Sequence, residues 1–181
     1  MRVCRRLSAL FVAAPVLLSL CAPALVGHAQ LLSTEEAVLR GAEENLPVVS
    51  PGFGSFSANI NADVITYQLL YVGIPTAVRE AHIHLGNPGT NGPIIVFLCS
   101  NLGNIPPGVQ ALPCPAAGAP VVGTIVATDV LQAADGDRIL LSAGDLDGLK
   151  QLLFAGAVYV NVHSEQHPPG EIRGQVNPQE R

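Results

Sequence analysis

The chain has 181 residues, of which 49% are hydrophobic, 13% charged and 4% aromatic. That composition supplies one domain with its own core, is too short for two full-sized ones, and is too apolar for a disordered chain. A formal net charge of −5 argues against nucleic acid as a partner, because a phosphate backbone is met by clustered Lys and Arg.

In chain order, residues 1–29 read as a secretory signal. Arg2, Arg5 and Arg6 give a positive start, Leu7 to Val26 is almost uninterrupted apolar sequence, and Gly27-His28-Ala29 places small residues before Gln30. A retained anchor is the alternative for a run close to the ~20 residues that span a bilayer, but Pro15 and Pro23 interrupt it. Lipidation at Cys21 is a third alternative, with Leu20 standing where a small residue is expected. The expected location is therefore secreted, or periplasmic at the cell envelope, with no membrane span once the signal is removed. The remaining 152 residues hold six basic and fourteen acidic side chains, a net −8. They divide into an N-terminal segment 30–36, one domain over 37–177 and a tail 178–181.

Gln30 to Leu39 begins polar and is expected to open on a short helical turn capped by Ser33 or Thr34, giving way to a strand and an extended loop before Pro51. Gly52–Ile60 and Val64–Val72 flank the turn-prone Asn61-Ala62-Asp63. In the second run Ile65, Tyr67, Leu69 and Tyr71 share one face against Thr66 and Gln68, which predicts a hairpin. Val78 to Leu85 is the next strand, with Ala81, Ile83 and Leu85 opposed to Glu80, His82 and His84. Pro93 to Leu98 and Val121 to Ala127 are further strands. Ser142-Ala-Gly-Asp145 resembles a capping box opening a short helix whose Leu146, Leu149, Leu152 and Leu153 share a face, with Gly156 ending it. Ala157–His163 and Glu171–Val176 close the domain as a hairpin around 164–170. Many short strands and one helix predict an all-β, antiparallel β-sandwich.

Two cysteines remain after signal removal, Cys99 and Cys114, and two thiols of one small exported domain pair. A metal-binding thiol pair has far shorter spacing. The expectation is a structural disulfide closing a Pro- and Gly-rich loop.

The four histidines outside the signal fall into two groups, His82-x-His84 within a strand and His163 and His167 flanking a hairpin connection. His82 and His84 project from one strand face about 7 Å apart. His163 shares the face of Tyr159 and Asn161. If the two strands meet, four imidazoles converge, a donor set that suits copper or zinc best. Glu80, Glu165 and Glu171 are candidates to orient the rings, and Arg173 to pair with Glu165 or Glu171 on the surface or to bind an anion. The competing view is a solvent-facing or hydrogen-bonded histidine pair without metal. Metal affinity is expected to fall as pH drops through about 6.5, the free imidazole value. Neither a nucleophilic triad nor a Gly-rich phosphate cradle is present, and the Asp-rich pieces lack the ligand pattern of a calcium loop.

Leu39-x-Gly41-x-x-Glu44-x-x-Pro47-Val48, Ala81-His-Ile-His-Leu-Gly86 with Asn91-Gly-Pro93, Tyr159-Val-Asn-Val-His163 and Pro169-Gly-Glu-Ile-Arg-Gly-Gln175 together resemble the CHRD domain, found in the growth-factor antagonist chordin and in secreted microbial proteins. The resemblance runs from about 37 to 177. It implies an immunoglobulin-like β-sandwich or barrel in an extracellular setting and less about activity; the leading reading is a non-enzymatic binding module for an extracellular protein or surface. The chain has one copy and no cysteine-rich modules, unlike chordin, so growth-factor antagonism does not carry over. A weaker similarity to Cu/Zn superoxide dismutase, also a β-sandwich with His-x-His on a strand, would make His82, His84, His163 and His167 copper ligands of a mononuclear oxidoreductase. The histidines and aspartate of that family's zinc loop are missing. A structural or adhesion domain without metal is the third possibility.

Overall fold

The runs of alternating polarity become strands in the computed structural model, which describes residues 33–178. Eight strands form one antiparallel ladder. In chain order they are β1 (Ser33–Arg40), β2 (Phe53–Ile60), β3 (Ile65–Val72), β4 (Val78–Leu85), β5 (Ile94–Ser100), β6 (Val121–Ile125), β9 (Val158–Ser164) and β10 (Ile172–Gln175). Their spatial order is β5-β4-β9-β10-β1-β2-β3-β6, and a two-residue strand, β11 (Asn177–Pro178), pairs with β1. A small hairpin, β7 (Ala133–Asp135) with β8 (Arg138–Leu141), stands apart. Between it and β9 lies α1 (Leu146–Phe154).

The ladder curls until its ends, β5 and β6, approach one another and the sheet nearly closes into a barrel. The Tyr67 hydroxyl on β3 helps close the seam by donating to the Leu98 carbonyl of β5 at 2.7 Å. The approach brings the two edge strands together, although β5 and β6 do not pair with each other. The interior is apolar apart from Glu35, buried on the inward face of β1 beside Ala37 and Leu39. Leu39, Ile65, Leu69, Ile83, Leu98, Val160 and Ile172 are all fully buried. Leu149 and Leu153 of α1 join the same cluster.

The all-β antiparallel architecture, the single α-helix among the described residues and the Cys99–Cys114 disulfide agree with the sequence expectations. The β2–β3 hairpin pairs residue by residue from Phe53↔Val72 to Ile60↔Ile65. Three local details differ. The described part of the expected N-terminal helical turn is strand β1, because it pairs with β2 along its whole length and that ladder outweighs a local cap. Asp145, rather than Ser142, caps α1, its carboxylate accepting the Gly148 N–H at 2.8 Å. The β7–β8 hairpin has no counterpart among the expected strands, since three or four residues are too few to show a period. The signal segment and Cys21 lie outside the described residues.

Candidate metal centre

Strand alternation sets the site. On β4, Ala81 and Ile83 face the apolar interior, so Glu80, His82 and His84 face outward. Antiparallel pairing places β9 alongside, with Glu80 opposite His163, His82 opposite Asn161 and His84 opposite Tyr159. Pairing of β9 with β10 then sets Asn161 opposite Arg173 and Tyr159 opposite Gln175. One sheet face therefore carries His82, His84, Asn161, His163 and Arg173 together. On the other flank, the pairing of β4 with β5 shifts register between Ala81 and His82 and again between Ile83 and His84. Bulges of this kind re-aim side chains.

This outward face is not exposed. His82 is 1% accessible, His84 and His163 8% each, and Asn161 5%. His82, His84 and His163 each offer a ring nitrogen within 4.8 Å of the others. His82 Nδ1 lies 3.3 Å from His163 Nε2. The opposite nitrogens are turned toward oxygen. His84 Nδ1–H donates to the Gly92 carbonyl at 2.9 Å, and His163 Nδ1–H to the Pro168 carbonyl at 3.0 Å. His82 Nε2 stands 3.4 Å from Glu80 Oε2, and Asn104 holds that carboxylate with a 2.8 Å hydrogen bond.

These contacts constrain the tautomers. With Nδ1–H of both His84 and His163 donated to carbonyls, their Nε2 atoms carry lone pairs. If His82 gives its proton to Glu80, its Nδ1 lone pair faces that of His163, an arrangement that a cation between them would satisfy. If His82 instead donates to His163, its Nε2 lone pair faces a carboxylate. Metal-binding histidines characteristically pair the outer N–H with a carboxylate or carbonyl, which is the pattern of oxygen partners seen here.

Burial depresses all three imidazole pKa values. Desolvation drives His82 far down, with the neighbouring His163 and His84 adding to it. Desolvation brings His84 to about 4, against the opposing pull of the Gly92 carbonyl. His163 is lowered by the same cause, opposed by the Pro168 carbonyl and Glu80. At neutral pH the rings are uncharged, the form that binds metal.

The remaining predicted residues sit elsewhere. His167 is half-buried and lines the same cavity as His84 and His163, but it is not one of the three clustered rings. Glu165 is exposed beside a different cavity, with Arg79 and Asn101. Glu171 is fully buried and accepts the Ser50 hydroxyl at 2.6 Å. Arg173 does not form the expected surface ion pair. It is 2% accessible, donates to Asn91 Oδ1 and the Thr90 carbonyl, and lies 3.4 Å over the Tyr159 ring. Tyr159 in turn stacks on His84, with ring centroids 4.8 Å apart. Pairing β10 inside the ladder buries a side chain that a terminal hairpin alone would have left in water.

Two residues not singled out as site candidates complete the surroundings. Asn161 lies between Tyr159 and His163 on the same strand face, and its amide donates to Glu44 Oε2 at 3.3 Å. Burial raises the Glu44 carboxyl to about 7, the Arg173 guanidinium and the Asn161 amide holding it lower than burial alone would. The signal for Asn161 was its i, i+2 spacing from His163. Glu44, which reaches the site from the loop after β1, was marked only as a fixed position of the Leu39-x-Gly41-x-x-Glu44-x-x-Pro47-Val48 motif.

Comparison with protein-family models matches the chain to the CHRD domain over residues 36–176, nearly its whole length. The chain belongs to the CHRD domain family. No curated protein and no solved structure matches it.

Proposed function

We propose that this CHRD-family chain is an exported, extracellular binding module that holds one divalent metal ion, copper or zinc, on His82, His84 and His163. The observation that carries this is the pairing of nitrogens: three buried, neutral imidazoles share one locus while oxygen partners occupy or face the opposite nitrogen of each. A three-histidine donor set without thiolate favours these borderline metals over calcium or magnesium, which require oxygen. When bound, the ion would supply Lewis acidity and an open coordination position; with three protein ligands, zinc keeps one for an outside molecule. Glu80, held by Asn104, orients His82, and the carbonyls of Gly92 and Pro168 fix the other two rings. His167 lines the cavity beside them as a candidate fourth donor.

Export accords with the leader-like first 29 residues, with the disulfide, and with the extracellular setting of the family. Among the described residues no helix is long and apolar enough to cross a membrane.

The test is elemental analysis of the purified chain beside titration with copper and zinc. Near-stoichiometric metal that falls away in His84→Ala is the expected result. No retained metal under micromolar supply, or unchanged binding in that variant, would overturn the proposal and leave a module whose histidines only hydrogen-bond. Superoxide turnover by the copper-loaded protein would move the assignment to a dismutase-type oxidoreductase.

A further inference from the structure

Beside the histidines lies a cavity of about 400 Å³, large enough for a small organic molecule. Its walls include two buried oxygens without a hydrogen-bond partner, Asn161 Oδ1 and Glu44 Oε1. The Asn161 side chain is 5% accessible, so solvent does not readily meet its need. Gly170 abuts both. A β-carbon there would come 2.7 Å from Glu44 Oε1 and 2.8 Å from Asn161 Oδ1, and its φ of +142° is one that L side chains rarely adopt. Glycine lets the backbone approach both side chains closely, which holds Glu44 and Asn161 in place at the cavity wall. Unmet buried acceptors are costly, and native proteins leave few of them.

We propose that this cavity is a ligand site for a neutral polyhydroxyl compound of about monosaccharide size, whose hydroxyl groups donate to Asn161 Oδ1 and Glu44 Oε1. Hydroxyl groups suit the pair because they donate to an amide oxygen and to a carboxylate, and can also accept from a protonated carboxyl, the form that burial favours for Glu44. A cationic donor is disfavoured by the Arg173 guanidinium, whose field reaches both Glu44 and His84. Leu46, Val48 and Pro169 give the same cavity an apolar wall suited to the C–H face of a sugar ring. Glu44 and Asn161 are not metal ligands in the function proposed above, so the site stands whether or not the histidines hold an ion.

Saturation-transfer NMR on the purified chain, metal-free and zinc-loaded in parallel, tests this with D-glucose and myo-inositol as neutral probes and methylammonium as the cationic one. Transfer to at least one polyol in both protein forms is expected, with no transfer to methylammonium. Glu44→Ala lies in a half-buried loop residue and should weaken polyol binding about tenfold or more. Glu44→Gln, which keeps an acceptor oxygen at the site, should restore most of it. The side-chain amide resonance of Asn161 should shift on titration. The proposal falls if neither polyol shows transfer at high millimolar concentration, if Glu44→Ala binds as well as the parent, or if methylammonium is preferred. A loss of metal binding alone would count against the histidine site and leave this one intact.

Discussion

The outward faces of the two halves of the sheet differ sharply, although both are antiparallel and both line the same core. Along β1, β2 and β3 the outward face meets water: Val38, Phe53 and Val72 are 51%, 43% and 40% exposed. Along β4, β9 and β10 the outward face is covered, and His82, Asn161 and Arg173 are 5% accessible or less. The cover comes from loops. Residues 44–48 line the cavity over β9, residues 90–92 bond to His84 and Arg173, and residues 168–170 bond to His163 and abut Asn161. Polar side chains that would be solvated surface on the first half become, on the second, a dry array whose hydrogen bonds must be supplied by protein. That difference makes one half a scaffold and the other a candidate site.

The largest effect that would sharpen this contrast is removal of a ring. His82→Ala or His84→Ala should weaken zinc or copper binding by more than the 10–100-fold typical of an outer partner, whereas Gln68→Ala, on the exposed face of β3, should leave affinity unchanged by titration calorimetry. Glu80→Gln should fall within about that 10–100-fold range. Equal affinities across these variants would erase the distinction between the halves.

The interior should treat both halves alike. Leu69→Ala, fully buried behind the exposed face, is expected to cost about 2–5 kcal/mol in denaturant unfolding, and Val38→Thr on the outer side within about 0.5 kcal/mol. Replacing Cys99 and Cys114 together by Ala should cost about 3 kcal/mol by freeing the loop in the unfolded chain. Because that loop also carries Asn104, which holds Glu80, the same variant should lose metal affinity.

A smaller effect is the dependence of metal-free stability on pH. The histidines have folded pKa values below the unfolded 6.5, so between there and about 4 the unfolded chain binds more protons, and stability falls as pH falls. Glu44 acts oppositely. Its folded value near 7 lies above the ordinary 4.5, so its contribution is present at low pH and is lost as pH rises toward 7. His84→Phe should flatten the acid-side loss, and Glu44→Gln should steepen it, in melting curves taken between pH 4.5 and 7. The same depressed values move the acid loss of metal below the 6.5 expected for free imidazole.

Much of this was legible along the chain. The burial of Ile65, Tyr67, Leu69 and Tyr71 against partly or fully exposed Thr66 and Gln68 follows the period of two, and Leu146, Leu149 and Leu153 follow the helical period. The His-x-His strand was placed to the residue. The limits are equally specific. His167 could not be separated from His163 by spacing, because its position depends on how residues 164–170 turn. Arg173 read as surface because nothing in its neighbours announces that β10 lies between β9 and β1.

Local pattern alone determined the strand content, the pairing of two cysteines and the shared strand face of His82 and His84, because backbone geometry alternates side chains whatever lies around them. The tertiary structure decided which strands became neighbours, that His163 rather than His167 closes on the pair, and that loops from three parts of the chain seal the polar face while leaving Glu44 and Asn161 beside an unfilled space. Those outcomes depend on contacts between remote segments, as between His82 and His163, on short loop closures such as Gly92 on His84 and Pro168 on His163, and on the water that these contacts exclude.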